Sequence, residues 1–205
     1  MNAQAMKQAI RQRIIADREQ LPANLRAQFS DGIARRIVQL PEYQAARAVL
    51  GYMSFGAEFV SDGLMRQVLA DGKQLVLPKV NRATNELDIY RVTDLLHDLA
   101  PGLWNISEPL LERCAKLEAL DEVDFILLPG VAFGRDGARL GYGGGFYDKL
   151  IARLNDGDEG RRPALVAAAY TMQIVAGIPQ EATDRKVEWL VTESETIECG
   201  NDGRD

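Results

Sequence analysis

The chain has 205 residues, 46% of them hydrophobic, and a net charge of −6, which suits one globular domain with a substantial core and is short for two. An acidic balance gives no broad attraction to phosphate backbones or anionic lipid, which excludes general nucleic-acid and membrane-surface roles while leaving room for a local cluster of Lys and Arg to hold a small anion. No run of about 18 apolar residues occurs, and the start MNAQAMKQAIRQR lacks the apolar stretch of a secretory signal, so a cytoplasmic protein is expected.

The expected organisation is a single domain over residues 1–205, with helices in 1–40, a second half over 124–200 built around a glycine-rich loop, and a frayed tail at 201–205. Residues Ala3 to Glu19 contain no Gly or Pro and space Met6, Ile10 and Ile14 four apart, the apolar stripe of an amphipathic helix. After Pro22, Leu25, Phe29, Ile33 and Ile37 repeat that pattern. The apolar run Ala48 to Met53 reads as a strand, Ser61-Asp62 opens a helix through Leu64, Val68 and Leu69, and Gly72 suits its stop before the strand Leu75 to Leu77. Asn81 to Glu86 reads as a hairpin turn leading to the alternating edge strand Leu87 to Tyr90.

In the second half Phe125 to Leu128 is a compact buried strand ended by Pro129-Gly130, Phe146 to Leu154 is a helix, and Asn155 to Arg162 is a polar loop. Ala164 to Ala169 reads as a further buried strand, and Trp189 to Val191 as the last one. Continuous apolar strands separated by helices predict a largely parallel sheet covered on both faces. Cys114 and Cys199 lie far apart without a CxxC pair, so the expectation is two plain thiols rather than a disulfide framework or a zinc site.

The chemistry concentrates in Leu128-Pro-Gly-Val-Ala-Phe-Gly-Arg-Asp-Gly-Ala-Arg-Leu-Gly-Tyr-Gly-Gly-Gly-Phe-Tyr-Asp-Lys149. This segment follows a buried strand and enters a helix, where open parallel sheets hold ligands. Gly141, Gly143, Gly144 and Gly145 remove Cβ atoms and permit positive φ, so that successive N–H groups can face an anion, and the helix from Phe146 adds its positive end. Such glycines also suit a plain tight turn. Arg139 before them and Asp148 after them favour a phosphate site, since an arginine neutralises phosphate oxygens and a carboxylate can hold magnesium. The segment satisfies neither GxxxxGK[ST] nor GxGxxG.

Pro129-Gly-Val-Ala-Phe133 with Arg139-Leu-Gly-Tyr-Gly-Gly-Gly-Phe-Tyr-Asp148 resembles the signature of the 5-formyltetrahydrofolate cyclo-ligase family, also called methenyltetrahydrofolate synthetases. The resemblance extends to Lys7 and Arg11 in the first helix, Tyr52-Met-Ser with Glu58 downstream, Trp104-Asn-Ile-Ser-Glu-Pro109 and Asp184-Arg-Lys-Val. Thr183 stands where many relatives carry His, and Phe146 where Tyr is common. The resemblance implies a single-domain, three-layer α/β/α fold of the type shared with sugar-phosphate isomerases and CoA transferases.

The resemblance implies ATP-dependent closure of 5-formyltetrahydrofolate to 5,10-methenyltetrahydrofolate, with the formyl oxygen phosphorylated so that it can leave. Positioning and charge neutralisation then dominate over side-chain acid–base work, which agrees with a sequence whose single histidine, His97, lies remote from the motif. By resemblance Lys7, Arg11, Arg139, Leu140, Gly141, Tyr142, Gly143, Gly144, Gly145, Phe146 and Tyr147 bind ATP, and Asp148 and Asp184 hold Mg2+. Met53 and Glu58 bind the folate, and Tyr142 to Phe146 are shared between both ligands. Trp104 either stacks on the folate or sits in the core. Taken alone, Lys7 and Arg11 make a solvated helix face, and Glu58 a surface charge.

The expected partners are small molecules, ATP and a folate with or without a polyglutamate tail, with the chain a monomer. One rival is a sugar-phosphate isomerase that uses the loop for the sugar's phosphate and needs no nucleotide. Another is a sensor that binds both ligands and releases no ADP.

Overall fold

The computed structural model describes residues 2–155 and 162–200. Helices α1 (Ala3–Glu19) and α2 (Ala23–Ile37) and a short α3 (Pro41–Ala45) precede β1 (Ala48–Leu50), which helix α4 (Asp62–Ala70) connects to β2 (Gln74–Asn81). The hairpin partner β3 (Glu86–Val92) leads into a small arm, β4 (Leu99–Pro101) and β5 (Ser107–Pro109). Strand β6 (Phe125–Leu128) opens the second half, followed by a two-stranded unit, β7 (Ala132–Phe133) and β8 (Arg139–Leu140). Helix α5 (Phe146–Asn155), β9 (Ala164–Ala168), β10 (Trp189–Val191) and β11 (Thr196–Glu198) complete the fold.

Seven strands form one sheet in the order β11-β10-β9-β6-β1-β2-β3. The five inner strands run parallel, and β3 and β11 pair antiparallel at the two edges. The parallel strands are the continuous apolar runs of the sequence, because both of their faces are covered. Alternate residues separate by face. Val49, Leu75, Leu77, Phe125, Leu127, Val166 and Val191 join one core with Ile33 and Ile37 of α2 and Leu64, Met65 and Val68 of α4. Leu50, Val76, Ile126, Leu128, Ala167 and Leu190 join another with Leu150 and Ile151 of α5.

The α/β/α layering therefore matches the sequence reading. Gly72 follows the end of α4 at φ +71°, the left-handed stop that a glycine supplies. The reading fails at three places. Trp189–Val191 is not the last strand, because β11 pairs with it in a tight antiparallel return. The first apolar run is a strand only over Ala48–Leu50 and then turns into a loop. The stripe Met6, Ile10, Ile14 is also not the buried face of α1: Met6 is exposed, and the buried residues are Lys7, Ile14 and Arg18. The helix is rotated because only Ile14 and its neighbours have an apolar partner, the β7–β8 unit through Val131, Ala132, Ala138 and Leu140, while Lys7 and Arg18 find polar partners on either side. The readings of 155–162 as a loop and 201–205 as a tail fall almost wholly outside the described residues.

The chain passes from β1 to β2 on one side and from β6 to β9 on the other, while β1 and β6 lie side by side. The loops that leave their carboxyl ends therefore diverge across a crevice, the switch point at which open α/β sheets bind ligands. One of these loops carries Glu58, and the other leads to the glycine segment.

Candidate active site

The glycine segment does not leave β6 directly. The β7–β8 unit intervenes, and Arg139 at its end reaches back to the strand, donating from Nη1 to the Pro129 carbonyl at 3.2 Å. Its Nη2 donates to Asp148 Oδ1 at 2.6 Å, so an almost fully buried guanidinium and the first turn of α5 are locked together. Gly143 at φ +111° and Gly145 at φ +67° lie in the region that side chains avoid, and the loop they shape ends at the α5 N-terminus. Arg11 crosses from α1 and donates from Nε to the Gly141 carbonyl at 2.8 Å.

Lys7 closes the opposite wall. Its Nζ donates to Asp184 Oδ2 at 2.8 Å and lies 3.3 Å from Glu181 Oε1. Burial alone would push the Lys7 ammonium down, but the Asp184 and Glu181 carboxylates hold it above its ordinary range. Burial likewise raises the Asp184 carboxyl, and Lys7 and the Glu181 amide more than reverse that, leaving it below the usual carboxylate range. These groups and the glycine loop line a cleft of about 670 Å³, inside the usual range for small-molecule sites.

The cleft thus gathers Lys7, Arg11, Arg139, the loop from Gly141 to Phe146, Tyr147, Asp148 and Asp184. Leu140 also borders the cleft and packs in the α1-facing core. Met53 is half-buried against the main core. Trp104 lies in a short 3-10 turn between β4 and β5, and its side chain is outside the described structure. His97 is exposed on the surface, its Nδ1 2.7 Å from Asp94 Oδ2.

Glu58 is not a solvated charge. It is 4% exposed, accepting from the Phe55 amide at 3.1 Å and from the Tyr142 hydroxyl at 2.7 Å. Ser54 and Ser61 clamp its loop with reciprocal amide-to-hydroxyl bonds, and the Tyr170 hydroxyl donates to the Glu58 carbonyl at 2.9 Å. Burial pushes the Glu58 carboxyl up, against the downward pull of the Tyr142 hydroxyl, the Phe55 amide and the Arg18 charge. Tyr142 faces the glycine-loop cleft and also packs on Phe55, with ring centroids 5.2 Å apart, so it stands between that cleft and the Glu58 loop.

A model of the 5-formyltetrahydrofolate cyclo-ligase family matches residues 3–193. The chain belongs to this family. A mouse 5-formyltetrahydrofolate cyclo-ligase is 29% identical over 177 residues, 84% of this chain and 86% of the relative. The NMR structure of Aquifex aeolicus 5,10-methenyltetrahydrofolate synthetase superposes with a TM-score of 0.82 at 32% identity, covering 98% of this chain and 95% of that one. A Mycoplasma pneumoniae 5,10-methenyltetrahydrofolate synthetase shares the fold, with a TM-score of 0.72 at 20% identity over 91% of this chain and 98% of its own. The family resemblance read in the sequence thus holds over residues 3–193.

Sequence reasoning missed Arg18, Glu181 and Tyr170. Arg18 had a signal: Lys7, Arg11, Ile14 and Arg18 follow one another at spacings of one helical turn and share a face. Glu181 and Tyr170 had none, since their contacts exist only in the fold.

Proposed function

We propose that this crevice carries out the family's reaction, ATP-dependent cyclisation of 5-formyltetrahydrofolate to 5,10-methenyltetrahydrofolate with release of ADP and phosphate. The observation that carries the residue assignment is the pairing of cations and carboxylates around the glycine loop: Lys7 with Asp184, and Arg139 with Asp148. A nucleotide triphosphate would share these cations with their carboxylates, and the carboxylates would be available to a magnesium ion that accompanies it. Family membership counts against both a sugar-phosphate isomerase and a sensor.

Among the described residues no group of three or more His, Cys, Asp or Glu side chains forms a ready metal site. Two carboxylates nevertheless fit magnesium, which is commonly held by one or two of them together with substrate phosphates and water. Asp148 and Asp184 would hold it, and it would supply positive charge to offset that of the phosphates. Lys7, Arg11 and Arg139 then neutralise the triphosphate, with the Gly141 to Gly145 amides and the α5 N-terminus as further donors.

The formyl oxygen of the folate takes the γ-phosphoryl group as ADP leaves. The neighbouring anilino nitrogen then attacks the activated formyl carbon, phosphate departs with the former formyl oxygen, and loss of the nitrogen's proton leaves the methenyl bridge. The protein's part is alignment and exclusion of water rather than proton transfer. Glu58 accepts the donor pair on the pterin edge, Met53 packs on the ring, and Tyr142 to Phe146 border both substrates. Trp104 is kept as a candidate folate contact.

The chain is assigned as a single domain that works as a monomer in the cytoplasm, on a folate that can carry a polyglutamate tail. In support, no helix among the described residues is long and apolar enough to cross a membrane, and the net charge of −6 disfavours nucleic-acid binding. The test mixes purified protein with ATP, magnesium and 5-formyltetrahydrofolate, following the near-ultraviolet absorbance of the methenyl product and ADP release. One ADP per ring closed is expected. Closure at full rate without nucleotide would overturn the phosphorylation step; sugar-phosphate turnover without nucleotide would favour the isomerase, and binding without ADP a sensor.

A further inference from the structure

Arg18 is 3% exposed near the C-terminal end of α1, and none of the assignments above uses it. Its Nη2 donates to the Tyr142 hydroxyl at 2.6 Å, and that hydroxyl donates in turn to Glu58 Oε1 at 2.7 Å. The same guanidinium lies 5.8 Å from the Tyr142 ring centroid. A buried cation and a buried carboxylate are thus joined through one phenol.

We propose that Arg18 is a positioning residue of the folate subsite, which keeps Glu58 ionised and its Oε1 aimed through the Tyr142 hydroxyl. The proposal rests on the assignment of Glu58 to the folate. A carboxylate accepts both N–H groups of a pterin edge, whereas a neutral carboxyl turns an O–H toward one of them. Deep burial favours the neutral form, so a Glu58 that binds pterin needs a nearby positive charge.

The groups around Glu58 show where that charge comes from. Tyr142 faces it from the glycine loop, Tyr52 and the Phe55 amide from its own segment, and Tyr147 from α5. Tyr170, hydrogen-bonded to Ser30 of α2, reaches the Glu58 carbonyl. Arg18 supplies the positive charge among them, and it pulls the Glu58 carboxyl downward.

The experiment titrates 5-formyltetrahydrofolate and, separately, ATP into wild type, Arg18→Met, Arg18→Lys, Tyr142→Phe and Glu58→Gln by calorimetry across neutral and mildly acidic pH. In wild type, folate binding falls as pH drops through the Glu58 titration. Arg18→Met should move that acid limb upward by about one pH unit or more, with ATP affinity unchanged, while Arg18→Lys keeps the limb near its wild-type position. Tyr142→Phe keeps both charges but breaks the bridge and removes the hydroxyl's own hydrogen bond to Glu58; it should shift the limb in the same direction by at least as much, and it decides the matter if Arg18→Met does not fold. Glu58→Gln should bind folate weakly with no acid limb. An unmoved limb in Arg18→Met or in Tyr142→Phe, or an equal loss for both ligands in Arg18→Met, would overturn the proposal. Wild-type folate affinity in Glu58→Gln would overturn the Glu58 assignment as well, leaving the ATP assignments standing.

Discussion

Lys7 in the first helix and Asp184, 177 positions later in the chain, meet with Nζ 2.8 Å from Oδ2. The contact ties α1 to the loop before β10, and with Arg139 and Asp148 on the other wall it frames the cleft with two balanced pairs. Each cation is thereby held in place before an anion arrives. On the proposed assignment, a triphosphate would share Lys7 and Arg139 with their carboxylates, so the nucleotide would complete a network rather than neutralise bare charges.

Lys7→Met should therefore weaken ATP binding by about 1.5–3 kcal/mol, the worth of a hydrogen bond to a charged group, and leave 5-formyltetrahydrofolate binding close to wild type. Separate calorimetric titrations of the two ligands check this. Unchanged ATP affinity would return Lys7 to a purely structural tie.

Asp148→Asn should raise the magnesium concentration needed for half-maximal activity, because an amide oxygen is a weaker ligand for a hard cation than a carboxylate. The structure adds a second effect: Arg139 loses a 2.6 Å ion pair while almost wholly buried. ATP affinity at saturating magnesium should thus fall as well. A magnesium titration of activity, repeated at several ATP concentrations, separates the two effects; an unaltered titration would reduce Asp148 to a helix-start residue.

Much of this was legible in the sequence, and the rest was not, for physical reasons. Phe125–Leu128 could be read as a buried strand because all four residues are apolar and all four are buried. The β4, β5, β7, β8 and β11 strands span two or three residues each, too few to show a period of two. Lys7 and Arg11 could be grouped by spacing, but Asp184 could not be joined to Lys7 without the fold. Glu58 looked like a surface charge because its shielding comes from Tyr142 and from a serine clamp, contacts that no local pattern encodes. Arg18 was hidden by the assumption that the apolar positions of an amphipathic helix mark its buried face.

Gly143→Ala should damage the site without a clash. A Cβ there meets nothing closer than Arg11 at 3.9 Å, so space is available, but φ +111° is strongly disfavoured for any residue with a side chain. The strain, of order 1–3 kcal/mol, should be relieved by a shift of the loop. ATP affinity is expected to fall while the melting temperature changes little. Gly32→Ala, with open space and no positive φ, is the control and should leave ATP affinity at its wild-type value.

The last prediction concerns Asp98, which organises the turn between β3 and the β4–β5 arm that carries Trp104. It is 5% exposed, and its Oδ2 accepts from the Thr93 amide, the Thr93 hydroxyl and the Asp94 amide, while Arg113 donates to Oδ1 at 3.2 Å. Burial pushes its carboxyl up, but these donors outweigh burial and hold it below the usual range. A carboxyl with a depressed folded-state value adds stability that is present above its unfolded value of about 3.9 and is lost as pH falls through the lower folded value. Asp98→Asn keeps the shape but turns an NH₂ group toward a donor and removes the charge, so it should cost about 1–3 kcal/mol at neutral pH. Urea unfolding of both proteins at pH 7 and near pH 3 gives the test. The gap between them should be widest at pH 7 and narrow in acid, where wild type also loses the charge; a gap of the same size at both pH values would show that shape alone, not the carboxylate, holds the turn.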